Sequence, residues 1–187
     1  MRHIKACRRL PSPRADTFIA HAVLSPCGKR VDIRMRRGRR TDLKTIWPAT
    51  VQTVWDDLPD EERTRLDRAT WEKEFRRKLT PYVDGGRTEA WIAEDETGAF
   101  LGYLLLGEGG GFLTPETHGF IFDVWVMPDH RGRGVGKFLV SWAADWARSK
   151  GYRKIKLEVA DSNARARRVY EELGFHAERH YMGKNLG

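Results

Sequence analysis

The sequence predicts a single mixed α/β domain, and three observations lead to that fold class. An apolar run at residues 120–126 leads into a glycine-rich loop that opens a helix. Two amphipathic helical patterns precede a meander of three predicted strands, and the chain then continues as helix, strand, helix and strand. With 187 residues, the chain is long enough to bury one sizeable core.

The N-terminal segment differs from the rest in composition and charge. Residues 1–30 lack clear periodicity and contain three prolines, so we expect an extension that is partly disordered or forms an added arm. Residues 31–187 are predicted to form the folded domain. Residues 1–40 carry twelve Lys and Arg against two Asp, which concentrates the net charge of +8 in this segment. The arm could contact RNA or an acidic partner, while a solvated tail is the simpler interpretation.

Cysteine usage and hydropathy bear on the compartment. Cys7 and Cys27 have no metal-ligand spacing, and we interpret them as reduced thiols. No apolar run approaches the ~18 residues of a membrane span. The apolar run at residues 18–24 is too short for a signal peptide. We therefore expect a cytoplasmic protein that has no membrane contact and no metal site.

The first half of the domain is predicted to be a strand followed by two helices. Residues 31–36 alternate apolar and polar side chains, as a strand does. Thr41 or Asp42 caps a helix in which Pro48 is expected to introduce a kink or a restart. A second helix has Pro59 near its first turn, followed by three acidic residues that favour the positive end of the helix dipole.

The meander and the elements beyond it complete the predicted order. Residues 90–93 and 100–106 form a hairpin, and the glycines at 109–111 form a mobile connection to the strand at 120–126. The remaining predictions are the central helix after the glycine-rich loop, a strand at 154–159, a short helix capped from residues 161–163, and a last strand or pair of short strands at 175–182.

The strand at residues 120–126 has the β-branched and aromatic composition of a strand buried on both faces. Asp123 is the exception, because it lies in the middle of that apolar run. A carboxylate in such a place must be hydrogen-bonded or titrate abnormally.

The loop after this strand predicts an anion site. The first N–H groups of a helix lack internal partners, and the helix dipole favours negative charge there. Gly134 and Gly136 permit close approach of the backbone, and Arg131, Arg133 and Lys137 add positive charge suited to a pyrophosphate. An ordinary glycine-rich connection with solvated basic residues is the alternative interpretation.

Two other phosphate-binding motifs fit the sequence less well. In the P-loop pattern, Phe138 occupies the position of the Ser or Thr that binds Mg²⁺, which argues against ATP. In the dinucleotide pattern, Glu158 has roughly the spacing of the ribose-binding acid. That pattern fails because the loop does not follow the strand immediately and too little chain remains after Glu158.

Two motifs resemble those of the GCN5-related N-acetyltransferases, the GNAT superfamily. The pattern R-x-x-G-x-G that begins at Arg131 resembles their pyrophosphate loop. The pattern N-x-x-A-x-x-x-Y-x-x-x-G-F that begins at Asn163 resembles their second signature. Each motif alone is weak, but together, in this order and one helix and one strand apart, they are specific. The resemblance covers about residues 33–182.

The resemblance implies a GNAT fold, with a central mixed sheet of six to seven strands, helices on both faces, and splayed strands at 120–126 and 154–159. Acetyl-CoA would lie in the gap as cosubstrate, its pantetheine paired with the backbone of Val124, Trp125 and Val126. Asn163 would hold the pantetheine or its amide. The residues implied for the pyrophosphate are Arg131, Gly132, Arg133, Gly134, Val135, Gly136 and Lys137.

The resemblance also implies the catalytic groups. Tyr170 would stand near the thioester sulfur and protonate the departing thiolate. Because an ammonium has no lone pair, a base must take a proton from the attacking amine. Glu158 matches the base proposed for the ribosomal-protein alanine N-acetyltransferases, whose L-E-V-x-x-x-N pattern this chain repeats from Leu157. Asp123 on the facing strand is the alternative base or a ligand of the amine. Backbone N–H groups of the splayed strand would stabilise the oxyanion.

The acceptor amine stays open. The alternatives are a protein or peptide N-terminus and a small molecule such as a polyamine, an aminoglycoside or an amino-acid-like amine. Residues expected to line the acceptor pocket are Trp47, Trp55, Trp71, His180 and Tyr181, although the tryptophans equally suit a core. A third alternative is a catalytically weak binding protein of the same fold, whose basic arm contacts RNA or the ribosome. A homodimer is compatible with the resemblance.

Overall fold

The computed structural model describes residues 18–24, 30–83, 86, 88–110, 115–184 and 186. Within them, six strands form one sheet, and their order in the sheet is their order in the chain. The strands are β1 (Phe18–Leu24), β2 (Arg30–Arg37), β3 (Thr88–Glu94), β4 (Phe100–Gly110), β5 (Thr117–Val126) and β6 (Ile155–Leu157). The α-helices are α1 (Leu43–Asp57), α2 (Asp60–Arg65), α3 (Arg68–Val83), α4 (Val135–Ser149) and α5 (Ala164–Glu172).

The sheet is mixed and has helices on both faces. Strands β1 to β5 pair antiparallel with their neighbours, whereas β6 pairs parallel with β5. Because side chains alternate along a strand, β4 serves two apolar clusters. Leu104 and Leu106 pack in one cluster with residues of α4, while Tyr103 and Leu105 pack in the other with Ile46 of α1. The mixed α/β fold class is therefore confirmed.

Strands β5 and β6 diverge after three residue pairs. Gly119, Phe120 and Ile121 pair with the three residues of β6, which ends there, whereas β5 continues to Val126. On its β6 side, the second half of β5 therefore faces a gap instead of a partner strand. This divergence is the splay expected from the resemblance.

Two glycines position α4 against the sheet. Gly134 is the N-cap of α4 with a φ of 90°, in the left-handed region that glycine adopts most readily. On β5, a Cβ at Gly119 would lie 2.9 Å from the Cβ of Ala147, so a side chain there would push α4 away. The close approach lets α4 bury its apolar face, including Phe138 and Leu139, on the sheet.

Two helix predictions need correction. The predicted second helix is in fact two helices, α2 and α3, because Asp67 starts a new one. The Asp67 carboxylate accepts a hydrogen bond from the backbone N–H of Thr70 at 2.9 Å, as an N-cap does. Helix α1 does not restart at Pro48 but runs through it. The missing donor of Pro48 costs the helix a single backbone hydrogen bond.

The prediction of a mobile glycine connection was also wrong for two of its three residues. Gly109 and Gly110 belong to β4, where they lie opposite His118 and Thr117 of β5. A Cβ at Gly109 would lie 2.7 Å from Nε2 of His118, so a close cross-strand approach requires glycine there. Gly111 lies outside the described residues.

The last predicted strand is absent from the described residues, since residues 175–182 carry no strand. Glu178 instead forms ion pairs beside β6, with Lys154 at 2.6 Å and Lys156 at 2.9 Å. Tyr181 and Met182 are each 94% exposed. Of the apolar side chains that suggested a strand, Phe175 packs on the core, whereas Tyr181 and Met182 do not.

Strand β1 lies inside the segment predicted to be an N-terminal extension, and it adds to the sheet by pairing with β2. The other residues of that segment, 1–17 and 25–29, are outside the described part of the chain. The predictions for Cys7 and Cys27 fall on these residues, as do Arg8 and Arg9 of the basic arm that could contact RNA. The boundary at residue 30 stays a prediction.

Candidate active site

Three oxygen atoms from separate elements meet beside the gap. The hydroxyls of Thr50 on α1 and Tyr103 on β4 each lie 2.7 Å from Oδ2 of Asp123 on β5. The two hydroxyls are 2.8 Å from each other. Thr50 reaches the strand because it lies on the buried side of α1, with Ile46 and Val51. Asp123 is thus hydrogen-bonded, as its place in the apolar run requires.

The surroundings of Asp123 also change its titration. Burial raises the pKa of Asp123, against the hydrogen bonds from Tyr103 and Thr50, which favour the ionised form. The negative charge of Asp57, the last residue of α1, adds to this rise. Burial raises the pKa of Asp57 as well, and the neighbouring Asp56 contributes in the same direction. Both carboxyl groups therefore hold a proton more tightly than an ordinary aspartate.

Tyr170 lies on α5 within electrostatic reach of both aspartates. Its ring packs against Phe175, with ring centroids 6.0 Å apart. Burial raises the pKa of the Tyr170 phenol to about 12, and the charges of Asp123 and Asp57 contribute. The phenol therefore keeps its proton at neutral pH. A group meant to donate a proton to a thiolate needs this property.

Asn163 connects the two sides of the gap. Its Oδ1 accepts a hydrogen bond from the backbone N–H of Ala166 at 3.1 Å, so it caps α5 as predicted. Its side chain also hydrogen-bonds the carboxylate of Asp57, which lowers the pKa of Asp57 against the effect of burial. Helix α1 packs on β5, and α5 follows β6, so this contact links the β5 side to the β6 side.

Within the described residues, the glycine-rich loop contains an arginine with one buried and unpaired nitrogen. Gly132 and Gly134 adopt φ angles of 77° and 90°, which L side chains adopt only with strain. Between them, Nη1 of Arg133 is buried and has no hydrogen-bond partner within the described residues. A buried guanidinium nitrogen left unpaired is costly, and an anion at this position would satisfy it. The loop geometry therefore fits the predicted pyrophosphate site.

The other basic residues of the loop are already engaged. Lys137 forms an ion pair with Glu172 of α5. Arg131 donates from Nε to the carbonyl oxygen of Val126 at 3.0 Å, and its guanidinium lies 5.8 Å from the centroid of the Trp125 ring. Of the three predicted cations, Arg133 alone has a buried donor left over within the described residues.

Two other loop positions predicted for the pyrophosphate are placed by packing. Val135 is fully buried, so only its backbone faces the loop. A Cβ at Gly136 would meet Val126 at 3.8 Å, which is ordinary contact, so close approach to the strand does not demand glycine there.

Backbone groups of β5 face the gap at alternate residues. The N–H of Met127 donates to the carbonyl oxygen of Leu101 on β4 at 2.9 Å. Because backbone polar groups alternate sides along a strand, those of Trp125 also point to β4, and those of Val124 and Val126 point to the gap. Of the three residues predicted to pair with pantetheine, Val124 and Val126 therefore direct backbone groups into the gap, where the carbonyl oxygen of Val126 already accepts from Nε of Arg131. Trp125 instead stacks on Tyr103, with ring centroids 5.9 Å apart.

Glu158 follows β6 directly, where the chain leaves β5. Its side chain is exposed and has no hydrogen-bond partner among the described residues. It is therefore available to solvent, in contrast to Asp123. The structure does not join Glu158 to the group formed by Asp123, Tyr170 and Asp57.

Sequence reasoning missed three residues that belong to this site: Thr50, Asp57 and Tyr103. Each carried a weak signal. Thr50 is a polar residue on the apolar face of a helix, and Tyr103 is a hydroxyl in an apolar strand. Asp57 places a negative charge at the C-terminal end of a helix, where the dipole disfavours it.

The aromatic residues proposed for the acceptor pocket are dispersed. Trp55 and Trp71 pack edge to face at 4.9 Å between α1 and α3, and Arg76 lies 5.4 Å from the Trp47 ring. His180 and Tyr181 are exposed in the segment after α5. Within the described residues, no helix has the length and apolar character to cross a bilayer, and no three His, Cys, Asp or Glu side chains are grouped to hold a metal ion.

The family model described as the Acetyltransferase (GNAT) family matches residues 47–175. This chain belongs to the GNAT acetyltransferase family. Among GNAT relatives, streptothricin acetyltransferase of Streptomyces lavendulae is 46% identical over 100 residues, which cover 49% of this chain and 53% of that protein. The chain spans about half the length, or less, of the first curated relatives that it matches.

Solved GNAT structures share the fold. A GCN5-related N-acetyltransferase from Ralstonia eutropha JMP134 superposes with a TM-score of 0.65 at 21% identity, over 83% of this chain and 99% of that one. An acetyltransferase from Clostridium acetobutylicum solved with acetyl-CoA gives a TM-score of 0.59 at 19% identity, over 82% of this chain and 96% of that one. The GNAT family uses acetyl-CoA, and the unpaired Arg133 of this chain fits its pyrophosphate.

Proposed function

We propose that this GNAT protein transfers the acetyl group of acetyl-CoA to a primary amine of a small cationic molecule. The observation that carries the proposal is the position of Tyr170 on α5, a protonated phenol within electrostatic reach of Asp123 and Asp57 at the gap between β5 and β6. The gap continues into the loop with the unpaired Arg133. A proton donor, negative charge for an amine and a site for a pyrophosphate are thus found along one gap.

The chemistry assigns one task to each group. Glu158 takes a proton from the incoming ammonium, directly or through water, so that the neutral amine attacks the thioester carbonyl. The backbone N–H groups of the splayed strand stabilise the negative charge that develops on the carbonyl oxygen. As the carbon–sulfur bond breaks, Tyr170 gives its phenolic proton to the sulfur. Asp123 is the alternative base.

A small cationic acceptor is favoured by the charge at the site and by one relative. Asp57 supplies negative charge and Asp123 supplies a hydrogen-bonding carboxyl group on the side where the acceptor is expected to enter, and no cation is paired with either of them within the described residues. The relative named streptothricin acetyltransferase is 46% identical over 100 residues, half of this chain. Both observations support a small amine, of the polyamine or aminoglycoside kind.

A second candidate acceptor is a peptide N-terminus. It is supported by the L-E-V-x-x-x-N pattern that starts at Leu157 and includes Glu158 and Asn163. The exposed position of Glu158 is compatible with a larger substrate, because a peptide could approach it from solvent.

The test begins with calorimetric titration of the protein with acetyl-CoA and with CoA. A thiol-release assay then follows turnover on a panel of polyamines, aminoglycosides and short peptides with small first residues. Micromolar acetyl-CoA binding with turnover on cationic small molecules is the expected result. Turnover on peptides alone would select the second candidate. Binding without turnover on any amine would favour the alternative of a catalytically weak GNAT-fold binding protein.

A further inference from the structure

The three oxygens at Asp123 form a closed triangle. Thr50 Oγ1 and Tyr103 Oη each lie 2.7 Å from Asp123 Oδ2, and they lie 2.8 Å from each other. Every side of this triangle has the length of a good O–H···O hydrogen bond. All three sides must therefore be explained by the protons present.

The number of protons decides the charge of Asp123. If the carboxyl is ionised, the hydroxyls of Thr50 and Tyr103 supply only two protons for three contacts. One side of the triangle would then bring two oxygen lone pairs together at hydrogen-bond distance. If the carboxyl is protonated, three protons serve three contacts, and each oxygen donates once and accepts once. The geometry is satisfied in full by the neutral acid alone.

The groups that face Asp123 agree with a neutral acid. They are Thr50 and Asp57 from α1, Tyr103 from β4, the backbone N–H of Val124 from β5, and Tyr170 from α5. None of them is a cation, and Asp57 carries the same charge as an ionised Asp123 would. An ionised carboxylate without a positive partner is costly in such a place, and protonation removes the cost.

We propose that Asp123 is a protonated, neutral acid in the ligand-free protein, closed with Thr50 and Tyr103 into a ring of three hydrogen bonds, and that it positions the acceptor amine instead of acting as its base. Oδ1 of Asp123 lies outside the ring and has two lone pairs, so it can accept a hydrogen bond from the amine in addition to the one that the backbone N–H of Val124 donates to this carboxyl group. A neutral acceptor does not stabilise the ammonium, so the amine keeps its reactive form. The role toward the amine rests on the proposed function, whereas the protonation does not.

The protonation is tested by carbon NMR of the full chain labelled at the side-chain carboxyl carbon of aspartate. Glu158 carries no label and does not interfere. At neutral pH, one carbon signal is expected at the chemical shift of a protonated carboxyl group. This signal should be lost in Asp123→Asn and retained in Asp57→Asn. If every aspartate signal of the wild-type protein lies at the shift of an ionised carboxylate, the proposal is wrong.

Two ring variants keep the test decisive if Asp123→Asn does not fold. Thr50→Val and Tyr103→Phe each remove one hydroxyl and leave the acid with one partner. The protonated signal is expected to move in both variants while staying in place in Asp56→Asn, which alters a carboxyl outside the ring. If the chemical shift of the signal is unchanged by both ring substitutions, the signal does not belong to Asp123 and the proposal is wrong.

The positioning role is tested by the pH dependence of kcat/KM on an accepted amine. Asp123→Asn keeps an amide oxygen for the amine, so kcat/KM is expected to fall roughly tenfold while the acidic limb of its pH profile stays unchanged. Glu158→Gln is expected to lose that limb. If Asp123→Asn abolishes the acidic limb instead, Asp123 is the base. If no amine is turned over, the proposed function fails while the NMR result still stands.

Discussion

Arg131 donates its Nε–H to the carbonyl oxygen of Val126 at 3.0 Å, and so ties the glycine-rich loop to the end of the splayed strand. The same guanidinium lies 5.8 Å from the Trp125 ring. The first arginine of the loop is therefore partly structural, and it fixes the loop beside the gap. We therefore expect anion binding to depend mainly on the second arginine, Arg133, whose buried Nη1 is unpaired within the described residues.

Arg133→Gln is predicted to weaken acetyl-CoA binding about ten- to a hundredfold, because it removes a charge-assisted hydrogen bond worth ~1.5–3 kcal/mol. Lys137→Gln is the matched control. Lys137 is half-exposed and already paired with Glu172, so we expect a change below about fivefold. Calorimetric titration measures both. Equal losses in the two variants would contradict the assignment of the pyrophosphate to Arg133.

Tyr170→Phe is predicted to lower turnover by roughly 10²–10⁴, the usual range for removal of a general acid. The affinity for acetyl-CoA should barely change, since the ring and its packing on Phe175 are kept. Steady-state kinetics and calorimetry separate the two effects. A parallel loss of affinity and turnover would show that the hydroxyl serves binding and not proton transfer.

The elements with continuous local signals were predictable from the sequence. The strand, the glycine-rich loop and α4 lie within 30 residues, and the Asn163 cap of α5 is a contact over three residues. The fold class follows from the order of such elements. Misplaced elements had competing local signals: Asp67 starts α3 inside a continuous helical pattern, and Gly109 and Gly110 suit a strand only because His118 approaches closely.

The hydrogen-bonded ring at Asp123 could not be predicted from the sequence, for a different reason. Thr50 is 73 residues from Asp123 in the sequence, and Tyr103 is 20 residues away. Local periodicity places each residue on a face of its element but says nothing about which faces meet. Asp123 is detectable in the sequence because a carboxylate in an apolar strand violates a local rule, and such violations tend to fall at functional sites. Its partners violate weaker rules, since a threonine on an apolar helix face and a tyrosine in an apolar strand equally suit a core.

Asp42→Asn is predicted to destabilise the fold by about 1–3 kcal/mol at neutral pH. Arg36 donates to both oxygens of Asp42, at 2.7 and 2.9 Å, and both side chains are largely buried. These hydrogen bonds lower the pKa of Asp42 in the folded protein. The stability they provide is therefore complete above the unfolded pKa of ~3.9 and is lost as the pH falls through the lower folded value.

Urea unfolding of wild type and Asp42→Asn at neutral and strongly acidic pH checks this prediction. The difference between the two free energies of unfolding should shrink in acid. Asp145→Asn is the control, because Asp145 pairs with Arg148 on the exposed face of α4 and its loss should cost under about 1 kcal/mol. A difference at Asp42 that is independent of pH would mean that packing, and not the ion pair, is responsible.

Asp57→Asn is predicted to stabilise the protein at neutral pH and to weaken binding of a cationic acceptor. Burial and Asp56 raise the pKa of Asp57, so its ionised form costs stability at any pH above that raised value. The negative charge also opposes the dipole at the end of α1, an effect of about 0.3–1 kcal/mol. The amide keeps a hydrogen-bond acceptor for Asn163 while the charge is removed.

The expected pattern is a higher midpoint in urea at neutral pH, a gain that disappears in acid, and a raised KM for a cationic amine. Asp145→Asn is the control, since Asp145 pairs with Arg148 on the exposed face of α4 and contributes nothing to the raised pKa of Asp57. Loss of stability in Asp57→Asn would show that its carboxylate is structural. A residue kept at a cost to the fold is expected to serve binding or catalysis, which is why a raised KM is predicted. A gain in stability with an unchanged KM would mean that the acceptor does not use Asp57.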